Sequence, residues 1–199
     1  RNIHAHPELR FEENRTADLV AEALSSWAIS VYRGMGKTGV VGRLDGDLGP
    51  GKMIGIRADM DALPLQEHNN FEHTSRNPGK MHACGHDGHT AMLLAAAKHI
   101  AHKAEFSGTV NLIFQPAEEG APAGERGGAL LMREEGVLDN PKPDAIFGLH
   151  VVSGTPTGEI RYRAGPFMAS NDWLSIKVNG RQTHGAWPWN GVDPVVTAA

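Results

Sequence analysis

The sequence predicts an α/β fold, a mixed sheet with helices on both faces, and two observations predict it. Short apolar runs of strand length alternate with stretches of roughly 10–15 residues at helical spacing, and Gly, Asp and Pro punctuate the joins. Glu12 to Trp27 places Ala17, Leu19, Val20, Ala23, Leu24 and Trp27 at helical spacing, with acidic residues in the first turn, and predicts the first helix. Gly34, Gly36 and Gly39 mark a turn before a short strand, Val40 to Leu44. Asp45-Gly46-Asp47 and Gly49-Pro50-Gly51 read as a hairpin connection to a second strand, Met53 to Ala58, which ends in Asp59-Met60-Asp61. The polar stretch from Gln66 to Lys80 is expected to be an ordered surface loop. His89 to His102 predicts a helix, Thr109 to Phe114 a strand, Gly127 to Glu135 a helix, and Asp144 to His150 a buried strand running into a histidine. The character changes near Gly165-Pro166, after which Asp172 to Val178 alternates as a half-buried strand. Residues 1–165 are therefore expected to form one domain, incomplete here, and residues 166–199 only the start of another.

Charge and composition exclude several classes. A net charge of −4 with no run of Lys or Arg gives no field that attracts nucleic acid or an anionic membrane. No apolar run approaches the roughly 20 residues needed to cross a bilayer. The single cysteine, Cys84, excludes an internal disulfide framework. It fits a reducing compartment, so a cytoplasmic location is expected. A periplasmic one stays open, because one thiol is compatible with it and the chain starts at Arg1, where a leader cannot be judged.

The chemistry concentrates in a few clusters. In Met81-His82-Ala83-Cys84-Gly85-His86-Asp87-Gly88-His89, a thiolate and an imidazole two residues apart, with glycine between, can turn towards one ion. Cys sulfur and His nitrogen both suit Zn²⁺ and related metals. The competing reading is a polar loop that caps a helix. Glu118-Glu119 directly follows a strand, where α/β sheets place functional groups. Adjacent carboxylates normally repel and stay wet; near a cation, one can hold it while the other accepts a proton from the attacking water. His150 closes the apolar run Ala145-Ile146-Phe147-Gly148-Leu149 in an equivalent position, although a lone histidine there is more often structural. Asp59 and Asp61, just past a strand, suit a role as acceptors on the far ring nitrogen of a ligating histidine, with Asp61 favoured and Asp59 its substitute.

Five stretches then carry a resemblance: His4-Ala5-His6-Pro7-Glu8-Leu9, Ile56 to Pro64, Met81 to Thr90, Phe114 to Gly120, and Gly148-Leu149-His150-Val151. In this order they resemble the amidohydrolase branch of the metallopeptidase family that includes aminoacylases, hippurate hydrolases and plant hydrolases of auxin–amino acid conjugates. The resemblance implies a zinc-exopeptidase-like domain followed by the start of an α+β ferredoxin-like lid, through which relatives dimerise, over about half the family's length. It implies two divalent ions, Zn²⁺ foremost with Mn²⁺, Co²⁺ or Ni²⁺ as alternatives. By the same resemblance Cys84, His86, Glu119 and His150 match four of five metal ligands, Glu118 the general base, and His184 the lid histidine that stabilises the oxyanion. The fifth ligand would lie beyond residue 199, and Gly180-Arg181-Gln182-Thr183-His184 lacks the glycine pair that often precedes that histidine.

The implied reaction is hydrolysis of an N-acyl amino acid, a small-molecule substrate. Two rivals stand beside it. One is a thiol hydrolase with Cys84 as nucleophile and His86 as base, which leaves Glu118, Glu119 and His150 idle. The other is a non-catalytic scaffold. The 199-residue stretch alone is expected to be inactive or nearly so. His4, His6 and His82 are read as structural, His99 and His102 as favourable charges at a helix end, and Trp187 and Trp189 as packing residues.

Overall fold

The computed structural model describes residues 1–139, 142–170, 172 and 174–199. It divides into two compact units, Arg1–Ser153 and Gly154–Ala199. The sequence places its change of character later, near Gly165-Pro166.

The first unit is an α/β structure built on a five-stranded mixed sheet in the order β1-β2-β4-β3-β5. A short helix α1 (Asn2–Ala5) precedes α2 (Asn14–Ser26), β1 (Ser30–Met35), β2 (Gly39–Asp45), β3 (Met53–Asp59), α3 (His86–Lys103), β4 (Thr109–Gln115), α4 (Gly128–Glu134) and β5 (Ala145–Gly148). Side-chain parity divides the sheet into two apolar layers. Val40, Leu112, Phe114 and Ala58 face α2 and α3, where they bury Val20, Leu24, Leu93 and Ala97. Val41 and Ile113, one residue out of phase, face the other way and pack on Met132 of α4. Helices thus cover both faces.

Helix α2 begins two residues later than its apolar spacing suggests, because Glu8 sets its start. The Glu8 carboxylate accepts from the backbone N–H of Arg15 (2.9 Å) and Thr16 (2.8 Å) and from the Thr16 hydroxyl (2.9 Å). An anion there satisfies donors that the helix cannot pair internally and meets its positive end. The polar stretch from Gln66 to Lys80 is ordered by buried Glu67, which accepts from Ser75 N–H (2.7 Å) and Asn69 Nδ2 (2.8 Å).

Four expectations are corrected. β2 and β3 are not a hairpin: β4 lies between them, antiparallel to β2 and parallel to β3. Their connection instead pairs with the segment leading into β4, through Gly46 N–H to Gly108 O and Leu48 N–H to Phe106 O. β1 is an additional strand, an irregular and mostly exposed edge whose side chains show no apolar alternation. β5 is shorter than expected and not buried; it pairs only with β3, and Ile146 and Phe147 are 49% and 58% exposed. Its continuous apolar run has the character of a strand covered on both faces. Finally, Leu174 to Val178 form no strand, and Trp173, part of that expectation, lies outside the described residues.

The second unit contains a bridge between Arg181 and Val192, a 3-10 turn at Pro188–Asn190 and the helix α5 (Pro194–Ala198), capped by Asp193. None of its described residues is buried.

What matters for chemistry is the parallel trio β4-β3-β5. Asp59 registers with Gln115, and Arg57 with Gly148, so the carboxyl ends of all three strands meet at one edge of the sheet. That edge is where open α/β sheets place ligand sites.

Candidate metal centre

Each functional side chain reaches this edge from a separate element. β3 runs out into Asp59 and Asp61, β4 into Glu118 and Glu119, and β5 into His150, while α3 begins there with His86. Cys84 and His86 are aimed together by Gly85, whose φ is +84° and whose missing Cβ would sit 2.3 Å from Val151 Cγ2. A residue with a Cβ would be strained at this φ and would push the Val151 side chain, next to His150, out of its place.

The predicted cluster does converge. Cys84 Sγ lies 3.4 Å from His150 Nε2. His86 Nε2 lies 3.7 Å from Glu119 Oε1, 3.8 Å from Glu118 Oε2 and 3.7 Å from Asp59 Oδ2. Potential ligand atoms of Cys84, His86 and His150, and separately of His86, Glu118 and Glu119, fall within 4.8 Å of one another. The Nε2 of fully buried His86 has no hydrogen-bond partner among the described residues, nor does buried Glu119 Oε1. Buried polar atoms left in this state are costly, and three carboxylates crowding one imidazole repel each other. A divalent cation resolves both problems. Thiolate, imidazole and carboxylate together are the donor set of zinc-type sites, so the residues fit such an ion.

Asp61 lies against the Nδ1 of His86, whereas Asp59 bonds His89 and approaches only the Nε2 of His86, so the two do not occupy one role. Asp61 is buried and accepts from the backbone N–H of Glu118 (3.0 Å) and Glu119 (2.9 Å), while His86 Nδ1 lies 3.3 Å from its Oδ1. One carboxylate thus holds both the carboxylate-bearing loop and the imidazole opposite it. Asp59 Oδ1 lies 2.6 Å from His89 Nδ1, and Arg57 pairs with its other oxygen at 2.7 Å. His89 Nε2 accepts from Val151 N–H at 2.9 Å, which fixes the proton on Nδ1 and anchors the residue next to His150. His89 was not singled out from the sequence. The available signal was its position three residues after His86, which puts both rings on one helix face, 5.3 Å apart.

The electrostatics follow from this crowding. Burial, then the charges of Asp59 and Glu119, raises the Glu118 carboxyl above its ordinary range despite nearby His86. For His86, burial alone would lower the pKa, but the Asp61, Asp59 and Glu119 carboxylates outweigh it and the net direction is upward. Burial opposes ionisation of Asp59 too; His89 and the Arg57 charge win, and its carboxyl is held at about 2. His184 belongs to the second unit, where its Nδ1 accepts from Ala186 N–H at 3.1 Å.

Asp61→Asn tests the two-fold grip of that carboxylate. The substitution keeps volume but turns an accepting oxygen into an NH₂ facing a backbone donor. Zinc affinity, measured by competition with a chromophoric chelator, is expected to fall about 10- to 100-fold. Unchanged affinity would mean that Asp61 plays no part in holding the ligands.

Residues 55–199 match the family described as peptidase family M20/M25/M40. The chain is 47% identical over 197 residues to a hippurate hydrolase of Campylobacter jejuni, covering 99% of this chain and 50% of that protein. It is 45% identical over 200 residues to an N-acyl-L-amino acid amidohydrolase of Geobacillus stearothermophilus, covering 100% of this chain and 52% of the relative. Among solved structures, a dinuclear metal binding peptidase from the M20 family of Bacillus subtilis superimposes with a TM-score of 0.70 at 42% identity, over 78% of this chain and 42% of that one. The chain spans about half the length of the curated relatives it matches.

Proposed function

The chain belongs to peptidase family M20/M25/M40, and from that premise we propose that it carries the active centre of a metal-dependent hydrolase cleaving the amide bond of N-acyl amino acids. The observation that carries this reading is the convergence of Cys84, His86, His150, Glu118 and Glu119 on one edge of the sheet, around a His86 Nε2 that has no hydrogen-bond partner among the described residues.

Cys84, His86, Glu119 and His150 would hold two divalent ions, for which a thiolate favours zinc, with manganese, cobalt or nickel as alternatives. Such ions would polarise the amide carbonyl and lower the pKa of water from near 16 towards about 7. Glu118 and Glu119 divide the remaining work by exposure. Glu119, whose side chain is 22% exposed with one oxygen buried and unpartnered, suits holding the cation. Glu118, at 41%, reaches the open side and suits proton transfer. It accepts a proton as water attacks the amide carbon, then delivers it to the nitrogen as the C–N bond breaks, so a carboxylic acid and a free amino acid leave. His184 is assigned the oxyanion, a role whose loss costs about 10²–10³ in kcat. Residues 166–199 would form the start of a lid domain through which two copies pair.

The test is a substrate panel on the full-length gene product. N-acetyl, N-benzoyl and indole-acetyl amino acids are offered, free amino acid is measured, and metal is counted by mass spectrometry. Release of amino acid by protein containing divalent metal is expected. Metal-free protein that cleaves at the same rate, or metal-loaded protein that cleaves no member, would overturn the reading.

A further inference from the structure

Glu13 is fully buried, an unfavourable place for a carboxyl unless its oxygens find donors. It finds two, from distant parts of the chain. The Thr38 hydroxyl donates to Oε2 at 2.5 Å, and the backbone N–H of Ala117 donates to Oε1 at 2.9 Å. Glu13 therefore ties together the residue before α2, the residue before β2, and the loop that follows β4.

That loop is the one bearing Glu118 and Glu119. Ala117 sits at φ +45°, a left-handed conformation unfavourable for any residue with a Cβ, and is itself buried. Such a conformation persists only where its surroundings over-determine it. Four hydrogen bonds do so here. Glu13 takes the Ala117 N–H, Asp61 takes the next two amides, and Gly128 N–H donates back to Ala117 O. Gly128 can approach so closely only because it lacks a side chain, since a Cβ would lie 1.8 Å from Pro116 O. Three consecutive amides, of residues 117, 118 and 119, are thus clasped by two carboxylates of which only Asp61 touches the metal-binding imidazole.

We propose that Glu13 is a positioning residue that acts through the Ala117 backbone to aim Glu118 at the substrate. The inference rests on the function proposed above, in which Glu118 moves the proton. Glu13 touches neither substrate nor metal ligands. It fixes the left-handed turn at Ala117, and the turn fixes the direction in which the next side chain leaves the backbone. Glutamine has the same shape and length as Glu13: its carbonyl can accept from Ala117, and its NH₂ can donate to the Thr38 hydroxyl, which then turns from donor to acceptor.

The experiment compares Glu13→Gln, Glu13→Asp and Glu13→Ala in the full-length, metal-loaded protein. Aspartate keeps the acid but shortens the arm, so the clasp on Ala117 opens; a misplacement on the order of 1 Å costs about 10²-fold in rate. For Glu13→Asp and Glu13→Ala, kcat per metal-loaded site is expected to fall about 10- to 100-fold with KM within about 3-fold of wild type. Glu13→Gln is expected to stay within about 3-fold in both. In metal-free protein, hydrogen exchange of peptides spanning residues 116–120 should quicken about 10-fold in Glu13→Asp and match wild type in Glu13→Gln. Should Glu13→Ala not fold, the other two variants decide. Wild-type kcat and exchange in Glu13→Asp would overturn the proposal, as would a Glu13→Gln variant as impaired as Glu13→Asp. An inactive wild type instead sinks the hydrolase reading, and the exchange contrast then still reports whether Glu13 clasps the loop.

Discussion

Glu118→Gln should lower kcat by about 10²–10⁴-fold, equivalent to roughly 2.7–5.4 kcal/mol of transition-state stabilisation, while metal content and KM stay near wild type. The substitution is isosteric and removes only the capacity to accept and return a proton. The loop should not move, because Asp61 holds Glu118 by its backbone N–H rather than by its side chain. Nor should the cation leave, because Glu119, with Oε1 buried and without a hydrogen-bond partner among the described residues, is better placed to hold it than the more exposed Glu118. Steady-state kinetics paired with metal analysis separates these effects. Loss of metal in Glu118→Gln would exchange the roles of the two glutamates. A kcat within about threefold of wild type would remove Glu118 from proton transfer altogether.

Much of this site could be read from the sequence because its parts are local. Cys84-Gly85-His86 and Glu118-Glu119 are each a few residues long, and each follows a recognisable strand or precedes a recognisable helix. The four suggested ligands come together because Glu119 and His150 follow the parallel strands β4 and β5, which apolar patterning already marks, while α3 begins with His86 at the same edge. What patterning could not show was which strands are neighbours. The β2–β3 connection has the glycine and aspartate chemistry of a hairpin, yet β4, formed about fifty residues later, inserts between the two strands. Strand order depends on packing over long sequence separations, which turn residues do not encode. The same limit hid Glu13 and His89. A glutamate before a helix reads as an ordinary acidic first-turn residue until Ala117, 104 positions away, is seen to donate to it. Aspartates 59 and 61 looked interchangeable because both follow β3; on the turning chain, Asp61 lies against His86 Nδ1, while Asp59 bonds His89 and reaches only the other nitrogen of His86, at 3.7 Å. β5 misled in the opposite direction, since its apolar run correctly marks a strand but says nothing about how many neighbours cover it.

Chelation decides between the two ways in which Cys84 could work, and it should reduce activity by more than about 10³-fold, with recovery on adding Zn²⁺, Mn²⁺ or Co²⁺. A cysteine nucleophile needs a thiolate without metal. Burial, and then the Glu119, Glu118 and Asp59 carboxylates, push the metal-free Cys84 thiol up to about 12, so at neutral pH about one molecule in 10⁵ would carry the nucleophile. The imidazole within reach is moreover His150, at 3.4 Å, which is not the partner a Cys-Gly-His nucleophile motif would use. The surroundings that suppress a free thiolate are the ones that favour a thiolate shared with a cation, because two nearby glutamates repel one negative charge and attract two positive ones. Cys84→Ala should accordingly lose activity together with bound metal, both measured on the same preparation. If Cys84→Ala kept its full metal content yet lost turnover, and the wild type kept turnover through exhaustive dialysis against chelator, the thiol mechanism would stand and the cation would be incidental to the chemistry.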